Sequence, residues 1–265
     1  MNQPPPSSPY PDYNREIGPE TPPARRRVPV LAPAITSYFT YLLIALNVLV
    51  FIAQLGSQSL FGADIPAALG VKDNQLIAQG ELWRLFTPMF LHGSILHIGF
   101  NMYALFIFGP GLERHFGHGR FLALFFLSGF AGNVFSFTFS PARSLGSSTA
   151  IFGLLGAQGV FLYQNREVLG GFARRALNNI IMIAVINLAI GLSPGIDNWG
   201  HMGGLIGGTL FTWFAGPVLV VDGIFPDLSV RDQRELPEAI LTAAGVGLLF
   251  ILLAALTLYL RGQLF

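Results

Sequence analysis

Cysteine is absent from this 265-residue chain, and charged residues make up only 11% of it. The first absence excludes disulfides, thiolate metal sites and cysteine nucleophiles. The second excludes an ordinary soluble domain, in which about 25% of residues are charged. What is present instead is 52% hydrophobic residues gathered in long uncharged runs, the composition of a polytopic membrane protein. The net charge of +1 carries no information about nucleic acid, and no nucleic-acid partner is expected. The placement of the arginines is informative.

Residues 1–34 contain PPP, PYPDY and TPPARRR with little apolar clustering. Such a segment buries too little surface to offset chain entropy, and it is expected to form a disordered, proline-rich cytoplasmic tail. Arg25, Arg26 and Arg27 lead into a full-length apolar run, without the short apolar region and cleavage site of a signal peptide.

Crossing the hydrocarbon as a helix takes roughly 20 residues. Seven runs qualify, at about 36–55, 93–112, 120–139, 148–163, 177–193, 200–220 and 238–260. The implied organisation is a six-span core over 35–220, a cytoplasmic linker over 221–237, and a seventh helix with a short outer tail over 238–265. Positive charge is retained in the cytoplasm. With the N-terminus inside, the cytoplasmic set is Arg15, Arg25, Arg26, Arg27, Arg114, Arg120, Arg166, Arg174, Arg175, Arg231 and Arg234, against Lys72, Arg84, Arg143 and Arg261 outside. The second, fourth and sixth spans then all begin at the outer face. Their first turns bring His97 and Asn101, Ser148, and His201 to one level of the membrane. The fourth span is only about 24 Å long, against roughly 30 Å of hydrocarbon, so Ser148 is expected below the outer surface, within reach of water entering from that side.

A serine hydroxyl is a weak nucleophile until a base accepts its proton, and histidine is the usual base near neutral pH. Taken singly, Ser148 also reads as a helix cap and His201 as a hydrogen-bonding core residue; a matching hydroxyl and imidazole at one depth favour chemistry. Gly200, Gly204 and Gly208 recur every four residues, and Gly153, Gly156 and Ala157 thin the fourth span. This spacing lets helices approach closely, with or without chemistry. His97 and Asn101 share a helical face. They suit stabilisation of a developing oxyanion, or interhelical hydrogen bonding. No metal-ligand spacing is formed by His92, His97 and Asn101. Asp197 reads as a cap or loop charge and Glu113 lies at the inner end, so a Ser/His dyad is expected, without a third member. His115 and His118 read as solvated. The loop over 57–92 reads as an amphipathic segment in the outer interface, anchored by Trp83 and Arg84.

The stretches Glu81-Leu82-Trp83-Arg84, His92 to Met102, Gly109 to Arg114, Ser128 to Asn133, Gly146-Ser147-Ser148-Thr149-Ala150-Ile151-Phe152-Gly153 and Asp197 to Gly204 together resemble the rhomboid intramembrane serine proteases, in order and spacing, over about residues 36–220. The resemblance implies an all-α polytopic fold of six core helices with one helix appended at the C-terminus. It implies hydrolysis of a peptide bond in or near a substrate's transmembrane helix, without a cofactor. By match, Ser148 corresponds to the nucleophile, His201 to the general base, and His97 and Asn101 to the oxyanion side chains. Two departures stand out. Thr149 occupies the position of the motif's glycine, where a β-branched side chain restricts the backbone. The fifth span has no tyrosine to stack on His201, so something else must hold that ring. Of the adjacent serines, the spacing to Ile151-Phe152-Gly153 selects Ser148, and Ser147 reads as loop or cap. The expected partners are transmembrane proteins and the lipid bilayer, and the expected location is a bacterial plasma membrane. The other functional readings are a catalytically inactive member that binds membrane clients and, further off, a small-solute transporter, which intramembrane charges and paired inverted repeats would favour.

Overall fold

The computed structural model describes residues 35–224 and 228–262; the expected tail over 1–34 lies outside them. The first helix, α1 (Tyr38–Phe61), is 24 residues long, about 36 Å at 1.5 Å per residue. Its first turn leaves backbone N–H groups without intrahelical acceptors. Glu113 supplies the acceptors, taking the Phe39 and Thr40 amides at 2.9 and 2.8 Å and the Thr40 hydroxyl at 2.7 Å. The carboxylate is fully buried and also meets His118 Nδ1 at 2.7 Å. His118 therefore pairs with a buried carboxylate while its own ring stays partly exposed, a more tied position than the solvated one expected of it, whereas His115 is exposed and stacks on Phe161.

The segment after α1 folds into two short helices, α2 (Ile65–Gly70) and α3 (Asn74–Ala78), and two 3-10 turns, Leu82–Leu85 and Thr87–Phe90. Arg84 departs from the interfacial role expected of it. It is buried and donates to the carbonyls of Ala68 and Val71 and to Glu81. A guanidinium has five donors in a fixed fork, and here they brace the loop internally. Trp83 is half exposed and donates Nε1–H to Leu69.

The next helix, α4 (Ile95–Phe139), contains two of the expected spans. The chain turns between them at Gly117, whose φ of 76° and ψ of 164° are non-helical and are tolerated by glycine because it lacks Cβ. Both ends of α4 lie beside the 62–94 segment: Gln54 donates to His92 just before it, and Lys72 to Ser140 just after it. The two halves therefore run in opposite directions.

Then follow α5 (Ser148–Gln164), a four-residue turn α6 (Arg166–Leu169), α7 (Gly171–Ile190) and α8 (Asn198–Ala215). Twelve of the 17 residues of α5 are buried, and it packs between α4 and α8. The α5–α8 contact is backbone to backbone. A Cβ on Gly208 would lie 2.5 Å from Gly153 Cα, and one on Gly156 would lie 2.8 Å from the Leu205 carbonyl oxygen. Glycine at these positions is what lets the two axes approach. In α7, by contrast, only Ala173 is buried.

The region expected to be a plain linker contains a short antiparallel hairpin, β1 (Leu219–Asp222) with β2 (Ser229–Asp232). Asn165 ties it to the end of α5 through the Leu219 amide and the Pro217 carbonyl, and Arg120 pairs with Asp232. Arg234 takes the last carbonyls of α8, those of Thr212 and Trp213. The last helix, α9 (Leu236–Gly262), packs on the second half of α4, where Thr138 and Thr257 hydroxyls meet at 2.9 Å.

Four helices among the described residues, α1, α4, α7 and α9, are long and apolar enough to cross a membrane, with mean hydropathies from 1.3 to 2.6. α5 is short and mostly buried; α8 carries five glycines and is buried along half of its residues, on the side facing α4 and α5. Counting the two halves of α4, the fold is all-α and polytopic, six core helices and one appended at the C-terminus.

Candidate active site

Ser148 opens α5 at the end of a tightly held turn. Gly146 has φ of 129°, a region L side chains rarely adopt, and its N–H donates to Pro88 at 2.9 Å. Ser147 is fully buried, with its hydroxyl 3.3 Å from His92 Nε2. Successive helical residues point about 100° apart, and Ser148 faces the other way: its Oγ lies 2.9 Å from His201 Nε2.

His201 sits one turn into α8. Asp197 caps that helix, accepting the Gly200 amide at 3.0 Å, so its carboxylate serves the backbone. His201 Nδ1 has no hydrogen-bond partner among the described residues, and the pair has no third member there. The imidazole lies flat on Phe152, with centroids 4.2 Å apart and planes 12° from parallel. Phe152 is one turn beyond Ser148 on α5, so a single helix supplies both the hydroxyl and the platform under the ring. The fifth span offers no tyrosine for this role, and Phe152 fills it instead, its i, i+4 spacing from Ser148 being the signal in the fourth span.

His97 closes the other side. Its Nδ1 accepts the Gly93 amide at 3.5 Å, which assigns the neutral ring's proton to Nε2. A Cβ on Gly146 would lie 2.7 Å from that Nε2 and 3.6 Å from Ser148 Oγ. The ring nitrogen, the serine oxygen and the turn thus surround one small volume, which a side chain on residue 146 would fill. Asn101 is buried one turn further along α4 and gives one amide hydrogen to the His97 carbonyl at 3.1 Å, leaving the second free. Ser148, His201 and His97 converge directly; Asn101 borders His97.

Thr149 points away from this volume. Its Cβ lies 2.6 Å from where a Cβ on Gly132 would stand, and its Cγ2 lies 3.1 Å from that position on Gly200. Two glycines, on α4 and α8, make room for its β-branch, and the expected restriction beside the site is displaced into the helix interface. Among the described residues no three His, Asp or Glu side chains gather as a metal site would require.

A hydroxyl and an imidazole held between glycine-thinned helices of a polytopic protein define a class, membrane proteins with a serine–histidine pair inside the helical bundle. The Rhomboid domain family model matches residues 79–218, more than half of the chain, and this chain belongs to the rhomboid family. It is 43% identical over 213 residues to the Rhomboid protease GluP of Bacillus subtilis (strain 168), covering 80% of this chain and 40% of that protein. It is 42% identical over 142 residues to RHOMBOID-like protein 6, mitochondrial, of Arabidopsis thaliana, covering 53% and 46% respectively. To RHOMBOID-like protein 5 of the same plant it is 39% identical over 167 residues, covering 61% and 52%. The chain thus spans about half or less of the length of these relatives. It is an integral membrane protein.

Proposed function

We propose that this protein is an intramembrane serine endopeptidase that cleaves transmembrane helices of single-span proteins with a Ser148/His201 dyad. The observation that carries the reading is the 2.9 Å contact between Ser148 Oγ and His201 Nε2. Ser148 Oγ attacks the scissile carbonyl carbon while His201 Nε2 takes its proton. The oxyanion is met by His97 Nε2–H, by the free Asn101 amide hydrogen and by backbone amides at the start of α5, the positive end of that helix. Collapse of the tetrahedral adduct breaks the C–N bond, and His201 returns the proton to the leaving amine. Water, deprotonated by the same imidazole, then attacks the acyl carbon; the ester C–O bond breaks and His201 returns the proton to Ser148 Oγ, releasing the acid.

The depth of the site bears on the chemistry in two ways. His201 is 9% exposed, and where water is scarce the hydrogen bonds that meet the oxyanion are stronger, which offsets the cost of forming an imidazolium there. The 17 residues of α5 span about 26 Å, short of roughly 30 Å of hydrocarbon, which suits a Ser148 lying below the outer surface. Under this reading the protease core is 35–220, the N-terminus is cytoplasmic and the location is a bacterial plasma membrane. The purified protein in detergent is expected to cleave a synthetic single-span substrate, and Ser148→Ala to abolish cleavage; cleavage that survives the substitution overturns the assignment.

A further inference from the structure

The turn that delivers Ser148 is gripped from outside by three consecutive residues. Lys72 is completely buried. Its Nζ donates to the carbonyls of Ser140 at 3.1 Å and Ala142 at 2.6 Å, and its backbone forms a two-way bridge with Ser144, at 3.0 and 3.3 Å. Asp73 accepts from Arg143 Nε at 2.6 Å. Asn74 Nδ2 donates to Ser140 at 2.9 Å. Residues 140–144, four to eight positions before Ser148, are thus held by Lys72, Asp73 and Asn74. The Gly146 amide on Pro88 and the Ser147–His92 contact hold the rest of the turn.

Lys72 is the unusual member. Among the described residues it makes no ion pair with a carboxylate, and burying an ammonium without one is costly. Desolvation lowers its pKa to about 8, which leaves it a cation at neutral pH. A cation retained at such a cost, with two of its three hydrogens given to carbonyls of one loop, is explained by what it does to that loop. Charge-assisted hydrogen bonds are shorter and roughly twice as strong as neutral ones.

We propose that Lys72, supported by Asp73 and Asn74, is a positioning residue for Ser148: it fixes the 140–144 segment so that the turn at Gly146 presents the hydroxyl to His201 and beside His97. The inference rests on the serine-hydrolase reading of the site. Displacing a reacting group by about 1 Å costs on the order of 100-fold in rate, so releasing this segment affects the chemical step far more than substrate capture.

The test is the rate constant for fluorophosphonate labelling of the full chain in detergent at 25 °C, with labelled fraction, melting temperature and substrate KM measured alongside. Wild type is expected to label and Ser148→Ala not to; failure of that pair overturns the hydrolase reading itself. Given that pair, Lys72→Met, which keeps the stem and removes the donors, is expected to label at least tenfold more slowly, to the full extent, with KM within twofold of wild type. A wild-type rate constant in Lys72→Met, whatever the change in melting temperature, makes Lys72 a structural brace only and overturns the proposal. Should Lys72→Met not fold, Asn74→Ala keeps the cation and removes one grip. It is expected to slow labelling about threefold, and a wild-type rate constant there overturns the proposal equally.

Discussion

Phe152→Leu isolates the contribution of the platform beneath His201. The imidazole is held by its bond to Ser148 on one nitrogen, by no partner among the described residues on the other, and by the flat contact with Phe152 on its face. Leucine keeps the site filled and removes the stack. Aromatic pairs of this kind are worth about 0.5–1.5 kcal/mol beyond the area they bury. If that energy is what selects the aligned rotamer, its loss reduces the reactive population by about two- to twelvefold. The expected result is a kcat lowered by that factor, with KM unchanged because Phe152 is buried beneath the imidazole, and Phe152→Tyr within about twofold of wild type. The assay is steady-state cleavage of a single-span substrate in detergent, with melting temperature as a control for folding. A wild-type kcat in Phe152→Leu, or an equal loss in Phe152→Tyr, refutes the argument that stacking orients the base.

Three further outcomes follow from the packing. Glu113→Gln removes the charge that satisfies the first turn of α1. It is expected to cost about 1–3 kcal/mol, seen as a melting temperature lower by a few degrees with wild-type kcat at low temperature. Thr149→Ala leaves the site volume untouched, since the side chain faces Gly132 and Gly200; kcat is expected to stay within threefold, and a tenfold loss would place Thr149 in the chemistry. Lys72 gives a pH dependence of stability. Its pKa falls from 10.5 unfolded to about 8 folded, through burial and Arg261, with Asp197 and Asp73 opposing and Arg143 held on Asp73. The unfolded chain therefore binds more protons between those values, and stability rises with pH across that window by up to about 3 kcal/mol. The melting temperature of wild type relative to Lys72→Met is expected to be higher at pH 9.5 than at pH 7.5.

The helices of the fold were legible because each rests on a long apolar run, most of them near the roughly 20 residues a crossing needs, a signal that requires no tertiary information. Their ends were less so. The span expected at 177–193 begins as α7 at Gly171, because a helix carries Arg174 and Arg175 through its first turns while an apolar window starts only after them. The convergence of Ser148, His201 and His97 was legible from span parity and motif spacing. Phe152 was not, since an apolar residue on a buried helix reads as core, and its role appears only once the ring of His201 is located. Arg84 was misplaced for the opposite reason: a charge in a loop is counted as interfacial by default, yet it is buried on backbone carbonyls, and the similar burial of Lys72 is likewise something no local pattern reveals. The β1–β2 hairpin was hidden because Leu219–Asp222 continues the apolar run of the sixth span.

The central claim, that His201 activates Ser148 and not its neighbour, is tested most directly by mapping the fluorophosphonate adduct by mass spectrometry in wild type and His201→Ala. Displacement of fluoride by the activated oxygen is expected to place the phosphonyl group on Ser148 alone, and the His201→Ala protein to remain unlabelled. An adduct on Ser147, or undiminished labelling of Ser148 without His201, would contradict it.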